Sequence, residues 1–439
     1  MKKSLIAVAA CLIIGSGNLV AKPAEFTLPD MQPVWESGKA IDAEQTRKMR
    51  NSYTYTAMLD AADLGAYVSS RLTEFLPTAT VSRSGQVAEL EYQLMPEIGE
   101  VRFTSDLGEL SLNEVLQDPR SRMRAIMVLH KGKVVFEQYP GLRPYDSHFW
   151  ASAAKTVVSL LAAQLASDGQ LDLKKPVDTY LPELKATAWE GIALEHILHQ
   201  HAGLDINERS MGEPGHPITD FYRAAAGDEN LPEDADFMSA VKAAEKLSEP
   251  GQFFEYSSMN TFVLGAVLER VTNQPMQDLI SERIWRQVGM EGDAHLGLSA
   301  SGEPAPMGVF SSRLSDLARY GLLYTPSWNV VSEQPVVPEG YLEQVYQAAD
   351  HSSFLNHDYL GQRIVKNFKE KCVGASYQWD AVFCDGDLYK SGRTGQALYV
   401  SPETDTVVVW FSSSYQNKIW MEGYTRQIVE QVFRQPKES

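Results

Sequence analysis

The chain has 439 residues, of which 44% are hydrophobic and 22% are charged, and its formal net charge at pH 7 is −18. This is the composition of a globular protein with a large apolar core. A chain this acidic would be repelled by phosphate, so we expect no nucleic acid among its partners.

The N-terminus, MKKSLIAVAACLIIGSGNLVA, predicts a signal peptide over residues 1–21. Lys2 and Lys3 form a basic start, an apolar run follows, and small residues precede the predicted cleavage after Ala21. The run is too short to span a membrane stably, and no later segment is apolar enough to do so. We therefore expect an exported, periplasmic protein. The alternative is lipoprotein anchoring at Cys11, but the apolar run continues past that cysteine.

Residues 22–115 show no pattern with evident chemistry, and we predict a lead-in arm or subdomain there. The segment DAADLGAYVSSRLTEFL has helical spacing, whereas EYQLMPEIGEVRFTSDLGELSL predicts short strands with turns. The next segment, AIMVLHKGKVVFEQY, predicts a β-hairpin that turns at Gly132. A strongly apolar helix follows, with Val157, Val158, Leu161 and Leu165 at helical spacing and Gly169 near its end.

Ser152 and Lys155 stand three residues apart where this helix begins. A serine hydroxyl is a weak nucleophile, which needs a neighbouring base and donors for the oxyanion that forms. A Ser-x-x-Lys pair places both side chains on one helical face, and a partly desolvated lysine has a lowered pKa. At the start of a helix the N–H of the serine lacks an intrahelical partner and can face a carbonyl oxygen.

The same pattern occurs a second time, at Ser239 and Lys242. That copy lies in DADFMSAVKAAEKLSEPG, whose lysines are spaced like those of a solvated helical face. We interpret it as a surface helix. Ser152 differs because a strand hairpin and two aromatic residues precede it.

Two further residues could complete a site around Ser152. Tyr256 precedes a helix in EPGQFFEYSSMNTFVLG, and beside two lysines its phenolate would be favoured as a base. Lys390 opens a strand in LYKSGRTGQALYVSP, where Gly392 lets a ligand approach the backbone. Taken alone, Tyr256 also fits a packed core ring, and Lys390 fits a solvated residue at a strand entry.

The remaining patterns concern cysteines and histidines. Removal of the signal peptide would leave Cys372 and Cys384, an even pair for which we predict a disulfide, with two free thiols as the alternative. Glu195 is followed by three histidines, a set that could be read as a metal cluster: His196, His199 and His201. Their spacing matches no zinc pattern, so we expect no metal.

The order of these elements predicts the fold class. Strands lie at both ends of the domain, since ALYVSPETDTVVVWFSSS reads as two strands, and helices fill the middle. A final helix carries Trp420, Tyr424, Ile428 and Val432 on one face. We predict an α+β fold (an α/β sandwich) whose mainly antiparallel sheet combines N- and C-terminal strands and is flanked by helices. The domain would span residues 116–439, with a mostly helical insertion at roughly 172–330.

The three motifs, in this order, resemble those of the serine β-lactamase and penicillin-binding-protein superfamily. The tyrosine motif is similar to that of the class C β-lactamases, their related esterases and the 6-aminohexanoate-oligomer hydrolases. The pattern Gly392-x-x-Gly395-Gln396 resembles the last group most. The resemblance covers about residues 120–435.

The resemblance implies a role for each residue. Ser152 would be the acyl-forming nucleophile, Lys155 its proton partner, and Tyr256 a general base supported by Lys390. Backbone N–H groups of Ser152 and Arg393 would form the oxyanion hole. The substrate-binding set would be Ser258, Ser391, Gly392 and Gln396. The reaction would cleave a small ester, amide or peptide with no cofactor or metal.

One departure from the family bears on the substrate. The family's middle motif usually ends in asparagine, but here that position is Ser258, which puts strong β-lactamase activity in doubt. Asn260 lies two residues on. The alternatives to a small-ester or amide hydrolase are a D-Ala-D-Ala carboxypeptidase or β-lactamase, and a penicillin-recognising protein that deacylates slowly.

Overall fold

The computed structural model describes residues 43–54, 63–226, 231, 235–357, 359–413 and 421–434. The predicted signal peptide, with Cys11, and Trp420 of the predicted last helix lie outside these residues. In the described part of the chain, no helix has the length and apolar character needed to cross a membrane.

The described strands, in chain order, are β1 Thr78–Val81, β2 Arg102–Ser105, β3 Gly108–Ser111, β4 Met123–His130, β5 Lys133–Gln138, β6 Ser147–Phe149, β7 Ala294–Gly297, β8 Phe310–Arg313, β9 Val373–Ser376, β10 Trp379–Phe383, β11 Leu388–Ser391, β12 Ala397–Ser401 and β13 Thr406–Ser412. The described α-helices are α1 Ala43–Ser52, α2 Asp63–Ser69, α3 Leu112–Gln117, α4 Lys155–Ser167, α5 Leu194–Leu198, α6 Pro217–Ala226, α7 Phe237–Lys242, α8 Ser258–Thr272, α9 Met276–Ile280, α10 Leu314–Leu322, α11 Tyr341–Gln347, α12 Ser352–His357, α13 Tyr359–Phe368 and α14 Met421–Ile428.

The main sheet combines strands from both ends of the domain, as the sequence predicts. Its order is β5-β4-β13-β12-β11-β10-β9, with antiparallel neighbours throughout. The predicted hairpin forms β4 and β5, and it turns at Lys131 and Gly132, both at positive φ. Strands β13 and β12 lie between β4 and β11, so these two C-terminal strands join the hairpin to the strand that carries Lys390.

Helices cover both faces of this sheet because its side chains alternate between two cores. Val407 and Val409 of β13 pack in the core that contains α4 and α10. Val408 and Trp410, on the opposite face, pack in the core that contains Tyr424 of α14. This arrangement confirms the predicted α/β sandwich.

A second sheet, of order β1-β7-β8-β6, joins regions that are distant in the sequence. Its strands β7 and β8 lie inside the segment 172–330, which we expected to be mostly helical. Strands this short carry too little period-two alternation to be recognised in a sequence. Strand β1 comes from the predicted N-terminal arm, and it pairs with β7 from Thr78 to Val81.

Candidate active site

The predicted nucleophile lies in a tight turn between a strand and a helix. Ser152 is the second residue of a 3-10 turn, Ala151–Ala154, which runs directly into α4. The preceding Trp150 is fully buried, and its indole N–H donates to Ser312 Oγ at 3.0 Å. Ala151 has a φ of 48°, a conformation that residues with a side chain rarely adopt. Packing of Trp150 therefore holds Ser152 at the start of the helix.

Lys155 is fully buried beside Ser152. Its Nζ lies 3.0 Å from Ser152 Oγ, 2.9 Å from Ser258 Oγ and 2.6 Å from the carbonyl oxygen of Met307. Burial lowers the pKa of Lys155 to about 7, and the carboxylate of Glu208 opposes this shift. A substantial fraction of this amine is therefore neutral at neutral pH, and it can accept the proton of Ser152.

Tyr256 lies on the other side of the nucleophile, in the loop before α8. It is hydrogen-bonded to Ser152. The Nζ atoms of Lys155 and Lys390 lie 5.3 and 4.7 Å from the centre of its ring. Burial raises the pKa of Tyr256 well above its ordinary value, and the carboxylates of Asp380 and Glu208 raise it further. Burial therefore favours the neutral phenol, the form that donates a proton, and the role of Tyr256 as a general base stays a prediction.

Lys390 reaches the site from β11 and is fully buried. Its Nζ donates to Tyr256 OH at 3.3 Å and to Asp380 Oδ1 of the neighbouring strand β10. Burial lowers the pKa of Lys390, whereas Asp380 opposes the shift. The other Asp380 oxygen accepts the backbone N–H and the hydroxyl of Ser391. Lys390 is thus a structural neighbour of Tyr256 whose charge is offset by a buried carboxylate.

The turn after β11 packs directly on the nucleophile turn. A Cβ on Gly392 would lie 2.6 Å from the Trp150 carbonyl oxygen and 2.8 Å from Ala151 Cβ, so only glycine fits there. Gln396 is fully buried, and its amide N–H donates to the Phe149 carbonyl oxygen at 3.1 Å. These contacts favour a positioning role for Gln396 over the predicted contact with substrate.

The two predicted oxyanion residues meet at one cleft. Ser152 and Arg393 both line it, together with Glu208, Tyr222 and Ser258. Its other walls are mainly apolar, and they include Phe149, Met211, Met307 and Val309. The assignment of their backbone N–H groups to the oxyanion hole stays a prediction.

Ser258 stands where the resembled family usually has asparagine, and its hydroxyl is hydrogen-bonded within the protein. Besides Lys155, its hydroxyl contacts Glu208 Oε1 and Tyr222 OH. Asn260, two residues on, donates instead to Gln200 Oε1 at 2.7 Å, so it does not take over the missing position. Ser391 also uses its hydroxyl internally, in bonds with Asp380 and Arg363.

The second Ser-x-x-Lys copy is the surface helix that we expected. Ser239 is exposed in α7, and its hydroxyl donates to Asp236, the residue that caps this helix. The predicted cysteine pair is brought together, with Cα atoms of Cys372 and Cys384 5.5 Å apart in a disulfide.

The histidines have separate partners. His199 Nδ1 accepts from the Tyr377 N–H at 3.2 Å, and His201 Nε2 lies 3.3 Å from Asp350 Oδ2. His196 packs under Gly251. Among the residues that the structure describes, no group of three potential ligands could hold a metal ion.

The residues of the site that were not foreseen from the sequence include Asp380, Glu208 and Gln200. Asp380 had a usable signal, since it is a single acid inside the apolar run YQWDAVF. Gln200 accepts the backbone N–H of Ser257 and so anchors the loop that carries Tyr256. The contacts of Gln200 and Glu208 with the site are formed by the tertiary fold, so no local sequence pattern indicates them.

The comparisons with known proteins agree with this geometry. A family model described as Beta-lactamase matches residues 117–427. The 6-aminohexanoate-dimer hydrolase of Paenarthrobacter ureafaciens is 28% identical over 355 residues, which cover 78% of this chain and 84% of that enzyme. Esterase EstB of Burkholderia gladioli is 28% identical over 200 residues, 40% of this chain and 48% of the esterase. A solved structure from Bacillus anthracis, assigned as a 6-aminohexanoate-dimer hydrolase, has a TM-score of 0.70 at 22% identity, covering 87% of this chain and 96% of that one.

Proposed function

This chain is a serine hydrolase that belongs to the beta-lactamase family, and from that premise we propose that it cleaves a small ester or amide through an acyl-enzyme on Ser152. The observation that carries the proposal is the position of Lys155. Its Nζ lies 3.0 Å from Ser152 Oγ, and burial lowers its pKa to about 7. A base with a pKa near the working pH is what proton abstraction from a serine requires.

In acylation, Ser152 Oγ attacks the carbonyl carbon of the substrate while Lys155 accepts the hydroxyl proton. The carbonyl oxygen becomes an oxyanion, which the backbone N–H groups of Ser152 and Arg393 would bind. Collapse breaks the bond from carbon to the leaving oxygen or nitrogen, which takes the phenolic proton of Tyr256. The proton on Lys155 then restores the phenol, and the acyl-enzyme remains.

In deacylation, water takes the place of the Ser152 hydroxyl as the nucleophile, and Lys155 is again the base. Water attacks the acyl carbon and gives its proton to Lys155. The tetrahedral intermediate collapses, the bond between carbon and Ser152 Oγ breaks, and Lys155 returns the proton to that oxygen. Lys390 holds the phenolic oxygen of Tyr256 in place through both halves.

The cleft supports a small acyl group with an apolar chain. Met211, Met307 and Val309 line it beside Ser152, and Glu208 is the carboxylate at its wall. The relatives that match this chain include a 6-aminohexanoate-dimer hydrolase, over 78% of the chain, and an esterase, over 40%. We propose linear amides and simple esters as the substrate class. We expect weaker action on β-lactams because Ser258 replaces the asparagine.

One panel of substrates tests this function. It contains p-nitrophenyl esters, a linear amide oligomer, a chromogenic cephalosporin and a D-Ala-D-Ala peptide, each with wild type, Ser152→Ala and Ser239→Ala. We expect Ser152→Ala to abolish hydrolysis and the acyl mass addition, whereas Ser239→Ala behaves as wild type. Activity retained by Ser152→Ala would overturn the proposal. A stable acyl adduct without turnover would instead indicate the slowly deacylating binding protein.

We also propose that the protein is exported to the periplasm after cleavage at Ala21. The proximity of Cys372 and Cys384 supports this, because structural disulfides persist in oxidising compartments. Intact mass of the periplasmic protein should correspond to a chain that begins at Lys22, with neither cysteine open to alkylation before reduction. A lipid-modified mass beginning at Cys11 would favour the lipoprotein alternative.

A further inference from the structure

The hydroxyl of Ser258 has one proton and three polar neighbours. Glu208 Oε1 is one of them, Lys155 Nζ lies at 2.9 Å, and Tyr222 OH lies at 3.0 Å. The same Glu208 oxygen accepts the Ser258 backbone N–H at 3.0 Å, so this carboxylate is held against both donors of one residue. A carboxylate accepts only, and the Tyr222 hydroxyl, which lies 3.1 Å from the same Glu208 oxygen, is the donor in its own contacts with Glu208 and Ser258, so the Ser258 proton points at Glu208. The Ser258 oxygen is then left as an acceptor.

This fixes the hydrogen bonds of Lys155. The Met307 carbonyl oxygen can only accept, and the Ser258 oxygen is also an acceptor, so Lys155 donates to both. A neutral amine has two N–H bonds and one lone pair. With both N–H bonds used, the lone pair faces the third neighbour, Ser152 Oγ at 3.0 Å.

We propose that Glu208 is a positioning residue for acyl transfer, which, by taking the Ser258 proton, directs the lone pair of neutral Lys155 towards Ser152. The inference rests on the proposed function, since it assumes that Ser152 is the nucleophile. Serine at position 258 then has a task of its own: it transmits the orientation of a carboxylate to the catalytic amine. No other side chain in the described part of the cleft combines a negative charge with contact to Ser258.

The charges around Lys155 give this arrangement a pH signature. Glu208 and Asp380 raise the pKa of Lys155, whereas burial and the charge of Lys390 lower it. The uncharged ring of Tyr256 packs against the amine. Replacing Glu208 with neutral glutamine removes one raising influence, so Lys155 should lose its proton at lower pH. The pH at which Ser152 becomes reactive should therefore also be lower.

The test separates orientation from charge with five variants: Glu208→Gln, Glu208→Ala, Ser258→Ala, the double variant Glu208→Ala with Ser258→Ala, and the control Glu213→Gln. Glu213 is exposed on the same loop, so it controls for loss of a nearby charge. The first readout is the rate at which a fluorophosphonate labels Ser152 between pH 5 and 9, followed by intact mass. The second is kcat and KM for a p-nitrophenyl ester.

We expect Glu208→Gln to shift the midpoint of labelling about one pH unit lower, the size of effect that a neighbouring charge commonly has. Glu208→Ala should lower the plateau rate and kcat about tenfold or more with KM little changed, because Ser258 can then donate to Lys155 and occupy its lone pair. In the Ser258→Ala background, Glu208→Ala should lose most of its plateau effect. Glu213→Gln should match wild type.

An unchanged midpoint and plateau in the folded Glu208 variants would overturn the inference, as would effects on KM alone or full additivity with Ser258→Ala. Thermal melting confirms that each variant is folded. Failure of the proposed function gives a different pattern, in which wild-type Ser152 is labelled with the expected pH midpoint but none of the substrates is hydrolysed.

Discussion

In the proposed mechanism, a single buried amine controls whether Ser152 can react. Burial lowers the pKa of Lys155 to about 7, and only the neutral form can accept a proton. We therefore expect kcat/KM for a p-nitrophenyl ester to rise with pH through about 7 and then level off. Lys155→Arg keeps the cation but cannot be neutralised, so it should lose about 10²–10⁴-fold in kcat/KM.

The matched control for this prediction is Lys242→Arg, which changes the lysine of the second Ser-x-x-Lys motif on α7. It should leave both the rate and the pH profile as in wild type. A flat profile between pH 5.5 and 8.5, or an active Lys155→Arg variant, would show that Lys155 is not the base.

Asp380 and Lys390 form an ion pair that is almost fully buried, with the aspartate 2% and the lysine 0% exposed. Removing one partner leaves an uncompensated charge in the core, which commonly costs about 3–5 kcal/mol. Asp380→Asn should therefore lower the free energy of unfolding by roughly that amount, measured by urea denaturation at pH 7. Asp380→Asn combined with Lys390→Met should recover much of the loss.

The comparison for Asp380 is Asp118→Asn, because Asp118 pairs with Arg120, which is 65% exposed. Surface pairs contribute about 0–1 kcal/mol, so this variant should remain close to wild type. Equal losses from Asp118→Asn and Asp380→Asn would mean that the buried pair is no more important to stability than an exposed one.

At the scale of elements, the site depends on how two turns meet. The turn after β11 approaches the turn that carries Ser152, and Gln396 joins them through the Phe149 carbonyl oxygen. Gln396→Met removes this link and leaves buried polar groups unpaired. This should lower the free energy of unfolding by about 1–3 kcal/mol. Because the spacing of the oxyanion donors would also relax, we expect kcat to fall about tenfold or more with KM little changed.

Thr394→Val is the control that shows whether a lower kcat in Gln396→Met comes from lost stability or from lost alignment of the two turns. Thr394 donates to Gln396 Oε1 at 2.9 Å, so its loss weakens the same turn but leaves the bond to Phe149. We expect a modest loss of thermal stability with nearly wild-type kcat. If Gln396→Met and Thr394→Val reduce kcat equally, Gln396 has no special role in alignment.

The elements that the sequence predicts are those with local signals. The hairpin of β4 and β5 has a glycine at its turn, and α4 has apolar residues at helical spacing followed by Gly169 at a φ of 73°. Strands β7 and β8 were not predicted, because four residues show too little alternation. The site divides in the same way: Ser152 and Lys155 are a local motif, whereas Glu208 meets them only through the tertiary fold.

At the scale of the whole molecule, the region predicted as a lead-in arm contributes to the main core. Leu64, Val68, Leu72 and Val81 are buried in the same apolar core as the helix that follows Ser152. Strand β1 also completes the second sheet, whose strand β6 leads into the nucleophile turn. This region therefore supports the fold around the site, and the predicted boundary at residue 115 crosses a continuous core.

Leu72 provides the quantitative test of that support, because it is 2% exposed and lies far from Ser152 in the sequence. Burial of a leucine in a packed core makes Leu72→Ala cost about 2–5 kcal/mol, through lost apolar contact and a cavity. Leu247, which is 52% exposed, supplies the control, since Leu247→Ala should change stability by no more than about 0.5 kcal/mol.

Urea denaturation followed by both tryptophan fluorescence and residual esterase activity measures the effect. If the N-terminal region shares the core, both signals are lost in one transition at lower urea in Leu72→Ala. If it is a separate arm, activity will persist beyond an early fluorescence change, because the hydrolase core would unfold independently of it.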